Sequence, residues 1–402
     1  YPVADPSGAR PGTLLGTMSS WGWHSTPAAG HDGSGGGEPY RLDETMRIYR
    51  TPRGPVPYVD MRGDLGAGTE SPASAAESWL RNNPHRLDLA RIGLVVTDGG
   101  APRPPEAAEL GGIRQRLDLW AGVIVSRFRL RGAPVTVTTV CHPERDVLAV
   151  RIETGADGPA LGVRLAFPYG SESWNNAADW TRPEAHSSTV RPIGGGCTVE
   201  RVLDDTVYHV TVLASPAAEI DRTGPHELVV PCAGPVTELC VALGPGRPGD
   251  GGAVSVPSFA ETAAAAARHW ARFWSGGGAV ELAGDARAAE LERRVVLSQY
   301  LTAINCAGSL PPQETGLMVN SWRGRFHLEM HWWHGAHFAL WGRPELLERS
   351  LGWYETILPS ARETARRQGC AGARWPKQVG PNGREGPSPI APFLIWQQPH
   401  PI

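Results

Sequence analysis

The densest run of groups able to do chemistry is Asn320-Ser321-Trp322-Arg323-Gly324-Arg325-Phe326-His327-Leu328-Glu329-Met330-His331-Trp332-Trp333-His334-Gly335-Ala336-His337-Phe338. Imidazoles, guanidiniums and a carboxylate alternate there with indole rings. An indole offers a flat apolar face to the C–H face of a sugar, while neighbouring charged and imidazole groups bond its hydroxyls. Seven of the fifteen Trp fall after residue 320, which makes a carbohydrate cleft the reading of the cluster, with packing in a buried helix as the plain alternative for any single Trp. The candidate sugar-contacting residues are Trp322, Arg325, His327, Glu329, His331, Trp332 and Trp333. His327 and His331 stand four apart with Glu329 between them, and His334 and His337 follow, yet the order is not His-Glu-x-x-His and the groups spread round a helix. A zinc site needs three or four converging ligands. Hydroxyl binding or ordinary structural histidines are therefore expected here, and no metal.

A second stretch, Gly369 to Pro389, is so rich in Gly and Pro that it forms a shaped loop. It holds Trp375, Lys377, which is the only lysine, and one acid, Glu385. No Asp occurs after Asp285, so acid chemistry in this half falls to a few Glu, with Glu329 and Glu385 in site-like surroundings; a solvated loop carboxylate is the alternative for Glu385.

The elements that must position these groups change along the chain. From Trp120 to about Gly244, runs such as Val207-Tyr208-His209-Val210-Thr211-Val212 alternate with period two and are broken by turn residues, which predicts antiparallel strands with one buried face. Arg131-Gly132 and Asp204-Asp205 read as hairpin turns. A Gly-rich, mobile loop is expected at His31 to Gly37, and a short helix at Ala75 to Asn82. The expected organisation is a β-sandwich over 1–255, a linker helix within 256–284 opened by the Ser258…Glu261 capping pattern, and helices with long loops over 285–402. Those helices are expected at Ala286 to Ala303, with Leu291, Val295, Leu297 and Leu301 as an apolar stripe, and at Glu345 to Gln368. Functional loops are expected at Asn305 to Trp322 and Gly369 to Ile402.

Composition narrows the partners. With 38 basic and 41 acidic residues in 402, the net charge of -3 lacks the electrostatic footprint of a nucleic-acid binder. No apolar run approaches a membrane span, and Tyr1-Pro2-Val3-Ala4-Asp5 has no signal-peptide character; the compartment and oligomeric state stay open. Six cysteines without a Cys-x-x-Cys pair read as small buried residues, Cys232 and Cys240 being able to pair if the protein is exported. No cofactor is implied.

The order of sandwich, linker helix and helical domain, with three stretches of sequence, resembles the six-hairpin glycosidases, nearest to glycoside hydrolase families 65 and 95. The stretches are Arg116 to Val123 with the strands to Asp146, Gly324 to Trp333, and Leu358 to Ala365 with the Gly369 to Pro376 turn. The resemblance implies an N-terminal β-super-sandwich followed by the first part of an (α/α)6 barrel. It also implies an inverting glycoside hydrolase, or alternatively a disaccharide phosphorylase or a non-catalytic carbohydrate-binding protein. Where family 65 carries its acid in a glutamate-histidine motif, this chain has Gln397-Gln398-Pro399-His400, so the resemblance puts the acid at Glu385. It makes Trp322, Arg325, His327, Glu329, His331, Trp332, Trp333, Trp375 and Lys377 sugar contacts. Against a barrel of twelve helices, the roughly 117 residues after Asp285 hold three or four. The chain is expected to be truncated, its catalytic base beyond Ile402 and these residues alone inactive.

Overall fold

The computed structural model describes residues 17, 19–30, 38–61, 74–155, 158–250, 255–316 and 320–401; the expected loop at His31 to Gly37 lies outside the described residues. The chain divides into two compact units. One comprises Tyr1–Gly22, Asp88–Tyr169 and Ala178–Gly276, the other Trp23–Leu87, Gly170–Ala177 and Gly277–Ile402. Residues 23–87 and 170–177 thus group with residues 277–402 in one compact unit. Among the described residues there are five α-helices: α1 (Ala75–Asn82), α2 (Phe259–Ser275), α3 (Ala288–Cys306), α4 (Leu328–Leu340) and α5 (Pro344–Arg367). None of these is long and apolar enough to cross a membrane.

The first unit is built on two antiparallel sheets, one of eight strands between Leu110 and Pro245 and one of four between Arg91 and Pro231. The period-two pattern does what it predicts: in Thr206–Ser215, Tyr208, Val210, Val212 and Ala214 are buried and their neighbours less so. Arg131 and Asp204 take positive φ at the two expected hairpin turns. The helix expected as a linker, α2, is docked on this unit. Its Ala266 packs with Val140, Ala149 and Cys240, and Trp274 Nε1 donates to the Leu119 carbonyl at 2.7 Å. Gly122, at φ 67°, lets the chain pass Trp270, where a Cβ would lie 2.2 Å from the ring. Ser258 and Glu261 form the expected capping box at its start.

Arg201, fully buried, ties the large sheet to the segment after the strand Leu161–Ala166. It donates to the carbonyls of Ser187 and Pro168, to Ser188 Oγ, and to Nδ1 of both His186 and His226. The two imidazoles stack with centroids 3.7 Å apart, and His226 Nε2 donates to the Pro183 carbonyl. Both rings must be neutral to accept from Arg201. Burial, then the Arg201 charge, push His186 down to about 3, and burial likewise lowers His226; Asp179 opposes and Arg182 reinforces the effect at His186. A folded pKa below the unfolded value of about 6.5 gives stability that is fully present above that value and drains as pH falls toward the folded one. Thermal unfolding between about pH 7 and pH 4 is expected to show that decline, and His186→Gln to flatten it. An equal slope in the variant would remove His186 from the account.

In the second unit the apolar cluster joins Phe326, Leu328, Trp353, Tyr354, Ile357, Ala361, Trp375 and Val379. α4 and α5 pack on each other across the tight connection Trp341 to Arg343. A two-residue ladder pairs Phe326 with Val379 and His327 with Gln378, which fastens the Gly369–Pro389 loop to the start of α4. α3 departs from its expected burial: Leu291 and Leu301 are exposed, while Gln299, Ala303 and Cys306 are buried. The inward face carries Gln299 because Arg343 Nη1 donates to its Oε1 at 2.8 Å.

Candidate functional site

The site starts from a strained turn in the second unit. Trp322, Arg323 and Gly324 have φ of 51°, 62° and 73°, three successive residues in the left-handed region. Each of the two non-glycines carries a cost of order 1–2 kcal/mol there. Gly324 is required twice over, since a Cβ would also sit 1.8 Å from Arg86 Cγ. The turn delivers the Trp322 indole to a cluster of charges: Lys377 Nζ lies 5.4 Å and the Arg81 guanidinium 5.6 Å from its ring centroid, and the His327 ring 5.1 Å away.

Beside that indole, Lys377 Nζ is 3.2 Å from Glu329 Oε1 and donates to His327 Nδ1 at 3.2 Å. Glu314 Oε2 is 3.1 Å from the same imidazole nitrogen. Lys377, Glu329 and His327 are all buried. Burial raises the Glu329 carboxyl above its usual range while Lys377 pulls it back, and burial with the Lys377 and Arg81 charges holds His327 well below its ordinary value. His327 is therefore a neutral ring. Several buried polar atoms here have no hydrogen-bond partner among the described residues: His327 Nε2, Glu329 Oε2 and Gln378 Nε2. Unpaired buried polar atoms are costly, and a concentration of them marks where a polar ligand or water completes the bonding.

Of the sequence-named residues, Trp322, His327, Glu329 and Lys377 are brought together. The rest are not. Arg325 is fully buried and donates to the carbonyls of Leu80, Arg81 and Asn83 at the C-terminal end of α1, a structural role. His331 has both nitrogens engaged, by Tyr354 Oη at 3.0 Å and Ser350 Oγ at 2.9 Å, and burial lowers it to about 4. Trp375 lies in the apolar cluster edge-on to Tyr354 at 5.2 Å. Trp332 and Trp333 are 57% and 68% exposed, because one and two steps of about 100° from His331 turn them off the inward face of α4.

Glu385 is buried at 3% exposure and opposite Val379 in an isolated bridge. Burial raises it to about 7, with Arg374 and Arg367 opposing the rise. Its Oε2 has no hydrogen-bond partner among the described residues, and no hydrogen bond or ion pair joins it there to Glu329, Lys377 or His327. The solvated-carboxylate alternative is thereby excluded.

Sequence reasoning missed Arg81, Glu314 and Gln378. Glu314 stood in a stretch marked as functional by its length alone, and Gln378 adjoins the lone lysine. Arg81 sits on α1, far from the cluster in sequence, and nothing local signals that its Nη1 donates to Gln378 Oε1 at 3.2 Å.

No family model matches the sequence, and no curated protein matches it. In fold the chain is similar to a solved protein assigned as a kojibiose phosphorylase from the human microbiome, with TM-score 0.53 at 12% identity over 75% of this chain and 43% of that one. A bacterial glucoamylase solved with acarbose gives TM-score 0.48 at 8% identity over 76% of this chain and 48% of that one. The chain spans less than half the length of either protein. At this identity the likeness is one of fold alone.

Proposed function

We propose that the chain carries the sugar-binding and acid groups of a carbohydrate-active enzyme that cleaves a glycosidic bond with inversion. What supports the reading above all is the buried cluster of His327, Glu329 and Gln378, with unpaired donors and acceptors near the Trp322 ring. Hydroxyls, which donate and accept at once, suit such a mixed set. In this reading the first unit is the super-sandwich, and α3 to α5 are the first helices of an (α/α)6 barrel.

In this reading Glu385, raised to about 7 by burial, is the acid, and its protonated form gives the proton to the glycosidic oxygen as the bond breaks. In the same step a second carboxylate takes a proton from water on the opposite face of the sugar, and that water forms the new bond to the anomeric carbon as the old one breaks. Trp322, His327, Glu329 and Lys377 hold the sugar. The fold neighbour's name points to α-linked glucose disaccharides as the first substrates to try. The test is proton NMR of the first-formed product with and without inorganic phosphate. Free sugar of inverted anomeric configuration, formed without phosphate, is expected. A sugar phosphate formed only with phosphate makes the protein a phosphorylase, and retention of configuration refutes inversion.

A further inference from the structure

The segment Ser171-Glu172-Ser173-Trp174-Asn175-Asn176, which the sequence does not mark as functional, is fastened to the left-handed turn by bonds that hold an indole outward. Arg323 N donates to the Trp174 carbonyl at 3.1 Å, and Arg323 Nε to the Glu172 carbonyl at 3.0 Å. The Glu172 carboxylate accepts from Asn82 Nδ2 at 3.2 Å and from Asn83 Nδ2 at 2.9 Å. At the base of the segment, a Cβ on Gly170 would lie 2.8 Å from both His24 and His85, so the chain enters pressed against two buried imidazoles. Trp174 is nevertheless 45% exposed, with its ring 5.5 Å from Trp322 at an interplanar angle of 69°. Asn175 beside it is exposed.

A loop that only covered Trp322 would bury its own large apolar ring. This one is anchored by carbonyls and a carboxylate and leaves the ring half open. Two indoles stand at a steep angle, Trp322 beside buried hydroxyl-bonding groups with Lys377 and Arg81 over its ring, and Trp174 half open beside an exposed amide, so that Trp174 has ring surface to offer the unit next to the one held at Trp322. We infer that Trp174 stacks on the sugar unit next to the one held at Trp322, with Asn175 bonding its hydroxyls, so that the site binds an oligosaccharide of at least two units. This rests on the carbohydrate reading and adds to it the residues that hold the second unit.

The experiment titrates glucose, maltose and maltotriose into the 402-residue chain by calorimetry and saturation-transfer NMR, comparing wild type with Trp174→Ala and Trp174→Phe. Expected for Trp174→Ala is a loss of about tenfold in affinity for maltose and maltotriose, with glucose within about twofold of wild type and the Phe variant recovering most of the loss. If Trp174→Ala does not fold by circular dichroism, Trp174→Leu replaces it, since it keeps apolar bulk and removes the flat ring. Equal weakening of all three sugars, or no change in any, overturns the stacking role while leaving the carbohydrate reading standing. No binding of any of the three to the wild type overturns that reading and this inference with it.

Discussion

Glu385→Gln is expected to lower kcat on glycosides with poor leaving groups by about 10² to 10⁴ while leaving KM nearly unchanged, in a protein that turns over such substrates. The change keeps the shape of the side chain and removes its proton. A nitrophenyl or fluoride glycoside, whose leaving group needs little protonation, is expected to retain far more activity. A mere sugar contact would depress both substrates alike. The pH profile carries a second signature. The acid must be protonated, and Glu385 is held at about 7 by burial, so activity is expected to fall as pH rises through that value. Arg374 and Arg367 oppose the rise, so replacing Arg374 by Met removes a stabiliser of the carboxylate and is expected to shift the alkaline limb upward. Rates that stay flat from about pH 6 to 9, or equal losses on the two leaving-group classes, would take Glu385 out of the acid role.

How much of this was legible in the sequence depended on whether the controlling interaction was local. The strands and their hairpins follow from alternation and turn residues, and the helix Ala75–Asn82 falls where its sequence pattern put it. α2 begins at the capping pair of Ser258 and Glu261 because those two residues satisfy each other within one turn. The cluster of Trp322, His327, Glu329 and Lys377 was half legible. Residue types flagged it, but only the ladder of Phe326–His327 with Gln378–Val379 sets Lys377 on Glu329. Direction round a helix was the commonest loss. His331, Trp332 and Trp333 are consecutive, yet one is bonded in the interior and two face outward. The exposed Leu291 and Leu301 of α3 show the same limit: an apolar stripe says that a face can be buried, and the neighbours decide whether it is. Arg81 and Trp174 were invisible because their partners are set by tertiary contacts.

Arg325→Ala is expected to cost about 3–5 kcal/mol of stability, seen as a lower urea midpoint of the transition in which α1 and the apolar cluster melt. The last carbonyls of a helix have no intrahelical donor, and α1 ends in an interior where water cannot serve them. Arg325 supplies that want with a rigid fork: Nη1 donates to Leu80 at 2.8 Å and Arg81 at 2.9 Å, and Nη2 to Asn83 at 2.7 Å. Its charge also faces the negative end of the helix dipole. Against these gains stand full burial and the nearby Arg384 and Arg81 charges, which press its pKa well below the ordinary arginine value. Removing the side chain leaves three acceptors short of a donor, although Arg384 also reaches Leu80 and Asn83 and recovers part of the loss. Arg325→Lys keeps the charge but cannot span three acceptors, so it is expected to fall between wild type and Ala. A sugar-contacting arginine would behave in the opposite way, with weakened sugar binding and an unmoved urea midpoint. That outcome would return Arg325 to the site and require another account of how the end of α1 is satisfied.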